Sequence, residues 1–184
     1  MDPVFLQQFN TDHPELLVDD GEHKLEDTWV LWSHAADNPS WKIDAYRRHC
    51  EISTVEGFWH IFNLMPSLIN RDIWFLMRKG IPPLWEDPIN AEGGSFKFRV
   101  PGDDADNCWL ALCMHAVTEN MCLKKSDAAI ISGISLSPKG GGYCTISVWN
   151  LDCTHTKHAI FPSNVGVDFG NKSRYQAHKS RPCG

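Results

Sequence analysis

The sequence predicts a single α+β domain built on a mostly antiparallel β-sheet, and three observations lead to this prediction. Strand-like segments are interleaved with a few helical ones, without the regular strand–helix–strand alternation that is typical of parallel sheets. The strand-like runs 128–137 and 143–151 are joined by a glycine-rich turn, which indicates a hairpin. A length of 184 residues with 42% hydrophobic content suits one core and is short for two.

The acidic residues are concentrated at the N-terminus. Eight of the 23 aspartates and glutamates fall in residues 1–28, accompanied by a single lysine. This segment has no sustained hydrophobic period of the kind that marks a helix or a strand. We therefore expect residues 1–26 to form an acidic, flexible arm and residues 27–184 to form the folded domain.

Strands are predicted where aromatic and β-branched residues cluster or where polar and apolar residues alternate. The alternation is clearest in residues 95–100, with Phe96, Phe98 and Val100 on one face and Ser95, Lys97 and Arg99 on the other. In residues 143–151 it places Trp149 on the face opposite Ile146 and Val148, either in a binding site or flat against the sheet. The remaining predicted strands are 28–34, 43–52 with Tyr46 and Cys50 facing inward, 74–77, 128–137 and 172–178.

Two helices are predicted from residue spacing. The capping-box spacing from Ser53 to Glu56 begins a short amphipathic helix that contains Val55 and Trp59 and that Pro66 ends. Residues 103–121 form the longest helix, since their apolar residues recur at helical spacing. In that helix Leu110 and Met114 widen the apolar stripe beyond what core packing requires. Residues 155–161 could begin a further helix, which Pro162 interrupts.

Composition and charge exclude several classes of protein. No run approaches the ~18 consecutive apolar residues of a membrane-spanning helix, and the acidic start is unlike a signal peptide, so we expect a cytoplasmic or nuclear protein without a membrane partner. Four basic residues and no acid in residues 171–184 favour a local anion site over binding along duplex DNA. Seven cysteines without a C-x-x-C pair predict reduced thiols and no disulfide.

The chain contains eight tryptophans, and two of them lie where regular structure is excluded. Trp85 follows two prolines and precedes Glu86 in the stiff segment 81–88, while Trp41 follows the chain breaker 38–40. From this segment alone, Trp85 packing back onto the core is an equal alternative to Trp85 binding a ligand. A flat ligand with hydrogen-bond donors on its edge would match an exposed tryptophan beside a carboxylate.

The chemistry of these side chains indicates which ligand they suit. Two aromatic planes about 7 Å apart can enclose one base. A carboxylate only accepts hydrogen bonds, and guanine offers adjacent N1–H and N2–H₂ donors on one edge. Methylation at N7 would make that base a cation, which adds about 0.5 to 2 kcal/mol of cation–π attraction for each tryptophan face. A neutral base would lose this attraction at both tryptophan faces.

Other chemistries lack residues that they require. The segment beginning at His49 and Cys50 resembles a phosphatase loop but carries Glu56 where the arginine is needed. Cys153 and the nearby histidines are half a zinc site without a second ligand pair, and the glycines of the hairpin turn precede a strand rather than a helix. A Cys/His/Asp hydrolase stays open, because such residues meet only in space. We expect no metal, no cofactor and no enzymatic activity.

The sequence resembles the eukaryotic translation initiation factor 4E family of mRNA cap-binding proteins. The resemblance runs from about residue 23 to residue 178, and its motifs together are highly specific. They are His23-x-Leu, Trp29-x-Leu-Trp, Ser40-Trp, Thr54-Val-Glu-Gly-Phe-Trp, Gly80-Ile-Pro-Pro-Leu-Trp-Glu-Asp, Gly93-Gly, Ser147-Val-Trp and Tyr175-Gln-Ala-His.

The resemblance implies a fold, a ligand and a partner. The fold would be a curved antiparallel sheet with about three helices on its convex face. Trp41 and Trp85 would stack the 7-methylguanine of capped mRNA, Glu86 would bind its N1 and N2, and Trp149 would touch the N7 methyl. The convex face would recruit a scaffold of the initiation factor 4G type, or a repressor with a Tyr-x-x-x-x-Leu-apolar motif. Its residues would be His23, Val55, Trp59, Leu110 and Met114.

Departures from the family concern the phosphates of the cap. Ser95 stands where an arginine is usual, and the turn 138–142 is longer than usual. The candidates for binding phosphate are Lys97, Lys139, Arg174 and Lys179, and the alternative for each is solvated surface charge. Pro162 in a usually longer helix and a short C-terminal loop make the chain compact, which resembles a divergent member of the kinetoplastid type. The departures that concern the phosphates also leave open a protein of the same fold with weak cap affinity that acts mainly through protein partners.

Overall fold

The computed structural model describes residues 22–65, 72–157, 160–162 and 173–179, and these form one sheet with helices packed on it. All neighbouring strands are antiparallel, in the order β2-β1-β3-β5-β6-β4-β7. The strands are β1 (Lys24–Ala35), β2 (Tyr46–Thr54), β3 (Asp72–Arg78), β4 (Gly94–Pro101), β5 (Ile131–Lys139), β6 (Tyr143–Asn150) and β7 (Ser173–Ala177). The helices are α1 (Val55–Leu64), α2 (Pro88–Ala91), α3 (Gly102–Val117) and α4 (Lys125–Ala128), with a 3-10 turn at Ile43–Ala45.

The main core lies between one face of the sheet, here called the helical face, and helices α1, α3 and α4. Alternate residues along the strands, such as Trp74 and Leu76 of β3, bury themselves against Phe58 of α1 and Trp109 of α3. The opposite face, here called the cleft face, carries a smaller apolar cluster of Ile73, Phe75, Met77 and Trp149. The predicted α+β fold, with a curved antiparallel sheet and helices on its convex side, is confirmed.

Strand β4 shows why the alternation in the sequence was informative. Phe96 and Phe98 are buried in the main core, whereas Lys97 points to the cleft face between the register partners Ser147 of β6 and Arg174 of β7. The predicted hairpin of β5 and β6 is also confirmed. Its turn contains Gly141 and Gly142 with φ of 82° and 74°, which is left-handed backbone that favours glycine.

The N-terminus of α1 differs from the predicted capping box by one residue. The cap is Thr54, whose hydroxyl accepts a hydrogen bond from the Gly57 amide at 3.0 Å. Glu56 instead accepts hydrogen bonds from the backbone amide and the ring of His23, at 2.9 and 2.8 Å. The helix therefore begins with its first carboxylate attached to the start of β1. The longest helix ends at Val117, earlier than predicted, where the Thr118 hydroxyl donates to the Met114 carbonyl at 2.8 Å.

The prediction that Tyr46 and Cys50 share an inward face is wrong. The pairing of β1 with β2 shifts register between Leu31 and Trp32, because β2 has one extra residue between the partners of these two residues. Such a bulge reverses the alternation on either side of it. Cys50 consequently packs against the main core, while Tyr46 packs on the cleft face.

A further expectation concerns the cysteines. The prediction of no disulfide is wrong, because Cys153 is disulfide-bonded. Cysteine spacing alone does not show which thiols meet in space.

Strand β1 begins at Lys24, three residues before the predicted boundary, and residues 1–21 of the predicted arm lie outside the described residues. Residues 155–157 are not helical. Within the part of the chain that the structure describes, no helix is long and apolar enough to cross a membrane.

Candidate functional site

A cleft of about 550 Å³ opens on the cleft face of the sheet. The loop after β1 and the loop after β3 each contribute an exposed tryptophan, and the strands contribute a floor of aromatic residues and a wall of hydroxyl and basic side chains. The lining residues are Trp41, Tyr46, Ile73, Phe75, Pro83, Trp85, Glu86, Ser95, Lys97, Ser135, Ser137, Lys139, Thr145, Ser147, Trp149 and Arg174. Volumes of several hundred Å³ are typical of sites for small molecules.

The loop that carries Trp85 is held by a buried side chain. The Asn90 amide donates to the carbonyls of Pro82 and Leu84, at 2.8 and 2.9 Å. The main-chain carbonyl of Asn90 accepts a hydrogen bond from Nδ1 of His178 at 2.8 Å, and the His178 ring lies parallel to the Trp85 indole with the ring centroids 6.1 Å apart. These contacts fix the backbone on both sides of Trp85 and leave the indole 44% exposed. The alternative of Trp85 packing into the core is thereby excluded.

The loop that carries Trp41 is held by a histidine that sequence reasoning missed. His34 is 1% exposed, and its ring stacks on the Trp41 indole with centroids 4.4 Å apart and planes 5° apart. The His34 Nε2 bonds the Ser40 carbonyl at 2.7 Å, which fixes the backbone just before Trp41. The other indole face contributes to the 53% exposure of Trp41. Both exposed tryptophans of the cleft are therefore backed by a parallel imidazole ring.

Trp149 forms part of the cleft floor rather than a third wall. It lies on the cleft face, as its alternation in β6 predicted, but only 2% of its surface is exposed. Its indole N–H donates to the Ser135 hydroxyl at 3.0 Å, and its ring packs edge-on against Phe75 at 6.1 Å. The ring is thus held in a fixed orientation and exposes little surface to a ligand.

Glu86 is exposed at the rim of the cleft, directly after Trp85. Burial raises the pKa of the nearby Tyr46 phenol to about 12, and the negative charge of Glu86 adds to this increase. Burial lowers the pKa of His178, with Lys97 lowering it and Glu86 raising it as smaller influences. Glu86 is therefore close enough to both rings to affect their pKa values. Within the described residues it forms no salt bridge.

Three of the four predicted phosphate-binding residues line the cleft. Lys97 is half-buried, and burial lowers its pKa, as do the neighbouring charges of Arg174 and Lys139. These three cations therefore form one positive patch, here called the basic patch. Lys179 lies elsewhere, since its ammonium pairs with Glu92 and it is absent from the cleft lining. Ser95, at the position where an arginine was expected, is 1% exposed.

The hydroxyl-bearing side chains of the cleft were not predicted as site residues. Ser135, Ser137, Thr145 and Ser147 come from the paired strands β5 and β6 and line the wall between the cleft floor and the basic patch. Each of them alternates with a core residue of the hairpin, so the sequence places them on the face opposite the core. This alternation alone does not indicate that they line a binding site. Their hydroxyls can donate hydrogen bonds to anionic or ribose oxygens.

The predicted partner-binding residues lie on the helical side, away from the cleft. Trp59 is 40% exposed and packs edge-on against Phe58 at 5.5 Å, so it is not an ordinary core residue. Val55 lies one turn before it, next to the exposed pair of His23 and Glu56. Leu110 and Met114 lie one turn apart on α3 and are partly buried against the core. Apolar surface is thus exposed on the outside of α1 and partly exposed on α3.

The arrangement of the cleft suits binding rather than catalysis. Exposed indoles, an exposed carboxylate and a basic patch match an aromatic cation that carries an anionic tail. Over the described ranges, no group of three or more His, Cys, Asp or Glu side chains is placed to hold a metal ion.

Comparison with known proteins shows which proteins this chain is similar to. The family model described as "Eukaryotic initiation factor 4E" matches residues 24–181. "Eukaryotic translation initiation factor 4E" of Eremothecium gossypii is 32% identical over 173 residues, which cover 88% of this chain and 80% of that protein. The protein of the same name from Candida glabrata is 30% identical over 177 residues, covering 90% of this chain and 81% of its own.

Solved structures show the same likeness. The complex of C. elegans eIF4E-3 with the 4E-binding protein Mextli and a cap analog superimposes with a TM-score of 0.74 at 26% identity, over 85% of this chain and 93% of that chain. Ascaris suum eIF4E-3, solved in complex with the m7G cap, superimposes with a TM-score of 0.73 at 23% identity, over 87% and 93% of the two chains. The second likeness concerns the fold alone.

Proposed function

The chain belongs to the eukaryotic initiation factor 4E family, and on that premise we propose that it binds the 7-methylguanosine cap at the 5′ end of mRNA without catalysing a reaction. The observation that carries the proposal is one cleft lined by two exposed tryptophans on separate loops, an exposed carboxylate and a basic patch. This role belongs in the cytoplasm or the nucleus, where capped mRNA is found.

In the proposed complex the methylated base lies between the indoles of Trp41 and Trp85. Each indole face attracts the cationic base, by about 0.5 to 2 kcal/mol beyond ordinary stacking. The Glu86 carboxylate accepts hydrogen bonds from N1–H and N2–H₂, which distinguishes guanine from the other common bases. The N7 methyl lies toward Trp149, whose ring edge is held in place by Ser135.

The triphosphate of the cap extends toward the basic patch. Lys97, Lys139 and Arg174 supply the positive charge, and Ser137 and Thr145 also line the cleft. Ser95 cannot provide the charge that an arginine would. We therefore expect base recognition to contribute more of the binding free energy than phosphate recognition.

Retention on a 7-methyl-GTP resin tests the proposed function. We expect the protein to bind the resin and to be eluted by free 7-methyl-GTP but not by GTP at the same concentration. Elution by both nucleotides alike would show simple anion exchange on the basic patch. No retention at all would favour the second candidate, a protein of the same fold that acts mainly through partners, and the replacement at Ser95 is the observation in its favour.

We also propose that the outside of α1 and α3 binds a partner helix. The partner would be a scaffold of the initiation factor 4G type or a repressor with a Tyr-x-x-x-x-Leu-apolar motif. Support comes from the 40% exposure of Trp59 and from the partly buried Leu110 and Met114, which offer apolar surface on two helices. Such a surface matches the apolar face of an amphipathic helix.

Substituting Trp59 with alanine is expected to weaken binding of a synthetic peptide that carries this motif. An exposed aromatic anchor in an interface contributes about 2 kcal/mol or more, so the dissociation constant should rise roughly 30-fold or more. Binding can be measured by fluorescence anisotropy of a labelled peptide. The matched control is Trp41→Ala, which removes an exposed tryptophan from the other side of the sheet. Loss of both peptide and 7-methyl-GTP binding in Trp59→Ala would identify Trp59 as a folding residue and contradict the proposal.

A further inference from the structure

Lys97 makes a contact that a simple phosphate-binding residue does not need. Its ammonium lies over the indole of Trp85, with Nζ 4.7 Å from the ring centroid. The same ammonium donates a hydrogen bond to the Gln176 side-chain carbonyl at 2.9 Å. A cation at this distance from an indole is attracted by the negative charge on the ring face. One of the two exposed tryptophans in the cleft therefore already holds a cation.

The charges around Lys97 account for this contact. Its register partner on β7 is Arg174, and the charges of Arg174 and Lys139 oppose its own. Across the described residues, Lys97 forms no salt bridge with a carboxylate. The indole of Trp85 and the amide oxygen of Gln176 thus stabilise an ammonium that has two cationic neighbours.

A cation on Trp85 opposes the binding of a second cation to the same ring. On the same face the two would compete for one position. On opposite faces they would stand about 8 Å apart, and their repulsion would amount to several-fold to tens-fold in affinity. The opposition therefore holds whichever indole face the base approaches.

We propose that Lys97 is a specificity-determining residue that competes with the methylated base for Trp85 and is released when the phosphates of the cap arrive. This inference rests on the proposed function. A ligand with a triphosphate gives the ammonium an anion to pair with, so the same side chain then favours binding. A methylated base without phosphates gives it none, and must displace it or bind against its charge. Lys97 would thus make the cleft selective for a whole cap over a free methylated nucleoside.

The test compares 7-methylguanosine and 7-methyl-GTP as ligands of the wild-type protein and of Lys97→Met, which keeps the length and apolar stem of the side chain and removes the charge. We expect Lys97→Met to bind 7-methylguanosine about threefold to tenfold more tightly and 7-methyl-GTP more weakly than the wild type. Opposite signs for the two ligands are the signature of the competition. Lys97→Arg keeps the cation and should gain no nucleoside affinity.

A second variant separates Trp85 from general charge. Lys139→Met removes a cation of the same basic patch, whereas among the described residues it is Lys97 whose ammonium lies over the Trp85 ring. Lys139→Met should therefore lower 7-methyl-GTP affinity without a gain for the nucleoside. If Lys97→Met fails to fold, as judged by thermal melting, Lys97→Gln takes its place with the same expectation. Unchanged or weaker nucleoside binding in the charge-removed variant would overturn the proposal about Lys97. It would not contradict the proposed function of cap binding. A wild-type protein that binds neither ligand would instead refute the proposed function, and this inference with it.

Discussion

Replacing Glu86 with alanine is expected to weaken 7-methyl-GTP binding by roughly 100-fold or more. The carboxylate is the acceptor for both guanine donors in the proposed complex, and its removal leaves N1–H and N2–H₂ facing the indoles without partners. Unsatisfied donors and lost charged hydrogen bonds together cost about 3 kcal/mol. The effect should change little with salt, because it arises from short hydrogen bonds rather than from long-range attraction. Isothermal titration at two salt concentrations measures both quantities.

The matched control is Glu92→Ala. Glu92 is an exposed carboxylate on the same stretch of chain, it pairs with Lys179, and it does not line the cleft. Its removal changes the net charge by the same amount and should leave the affinity within about twofold. Glu86→Gln should recover little, since its amide can accept from one donor but presents its own N–H groups to the other. Equal losses in Glu86→Ala and Glu92→Ala would show a general effect of charge and contradict the assigned role.

Replacing Trp41 with alanine should cause a loss of similar size. Stacking on an aromatic side chain contributes about 1 to 3 kcal/mol per base, and the cationic base adds about 0.5 to 2 kcal/mol. The dissociation constant for 7-methyl-GTP should therefore rise between roughly tenfold and several thousandfold. For unmethylated GTP the loss should be smaller, because only the stacking contribution is removed. Trp41 is 53% exposed, so the substitution leaves no cavity in the core.

The control for Trp41→Ala is Trp59→Ala, which removes a tryptophan of comparable exposure from the helical side. It should leave 7-methyl-GTP binding unchanged. Similar losses in the two variants would mean that the tryptophans act through stability rather than through contact with the base. A loss in Trp41→Ala that is equal for methylated and unmethylated nucleotides would contradict the cation–π contribution.

Much of the fold could be predicted from the sequence because local patterns decided it. The alternation in β4 assigned Phe96 and Lys97 to opposite faces, and the glycine-rich turn identified the hairpin of β5 and β6. The bulge in β2 could not be predicted, because it depends on the register with β1 rather than on the residues of β2 alone. For that reason Tyr46 was assigned with Cys50, and its place in the cleft was missed.

In the candidate site, too, local patterns were predictable and contacts between separate segments were not. The stiff segment around Trp85 and the chain breaker before Trp41 indicated loop tryptophans, and both are exposed in the cleft. Of the rings that support them, His178 follows β7 and is far from Trp85 in sequence, so no local pattern related the two. His34 lies at the end of β1, only a few residues before Trp41, but their stacking depends on how the intervening loop folds back, which the residue types alone do not show. Lys179 lies outside the basic patch and pairs with Glu92, which is also a contact between segments distant in sequence.

The central claim is that this cleft binds a methylated, cationic guanine, and titration of intrinsic tryptophan fluorescence tests it most directly. Two exposed indoles in the cleft should be quenched when the base enters between them. We expect 7-methyl-GTP to quench the fluorescence and to bind roughly tenfold to a thousandfold more tightly than GTP, since a neutral base loses about 1 to 4 kcal/mol of cation–π attraction over two faces. Equal quenching and equal affinity for the two nucleotides would contradict the claim.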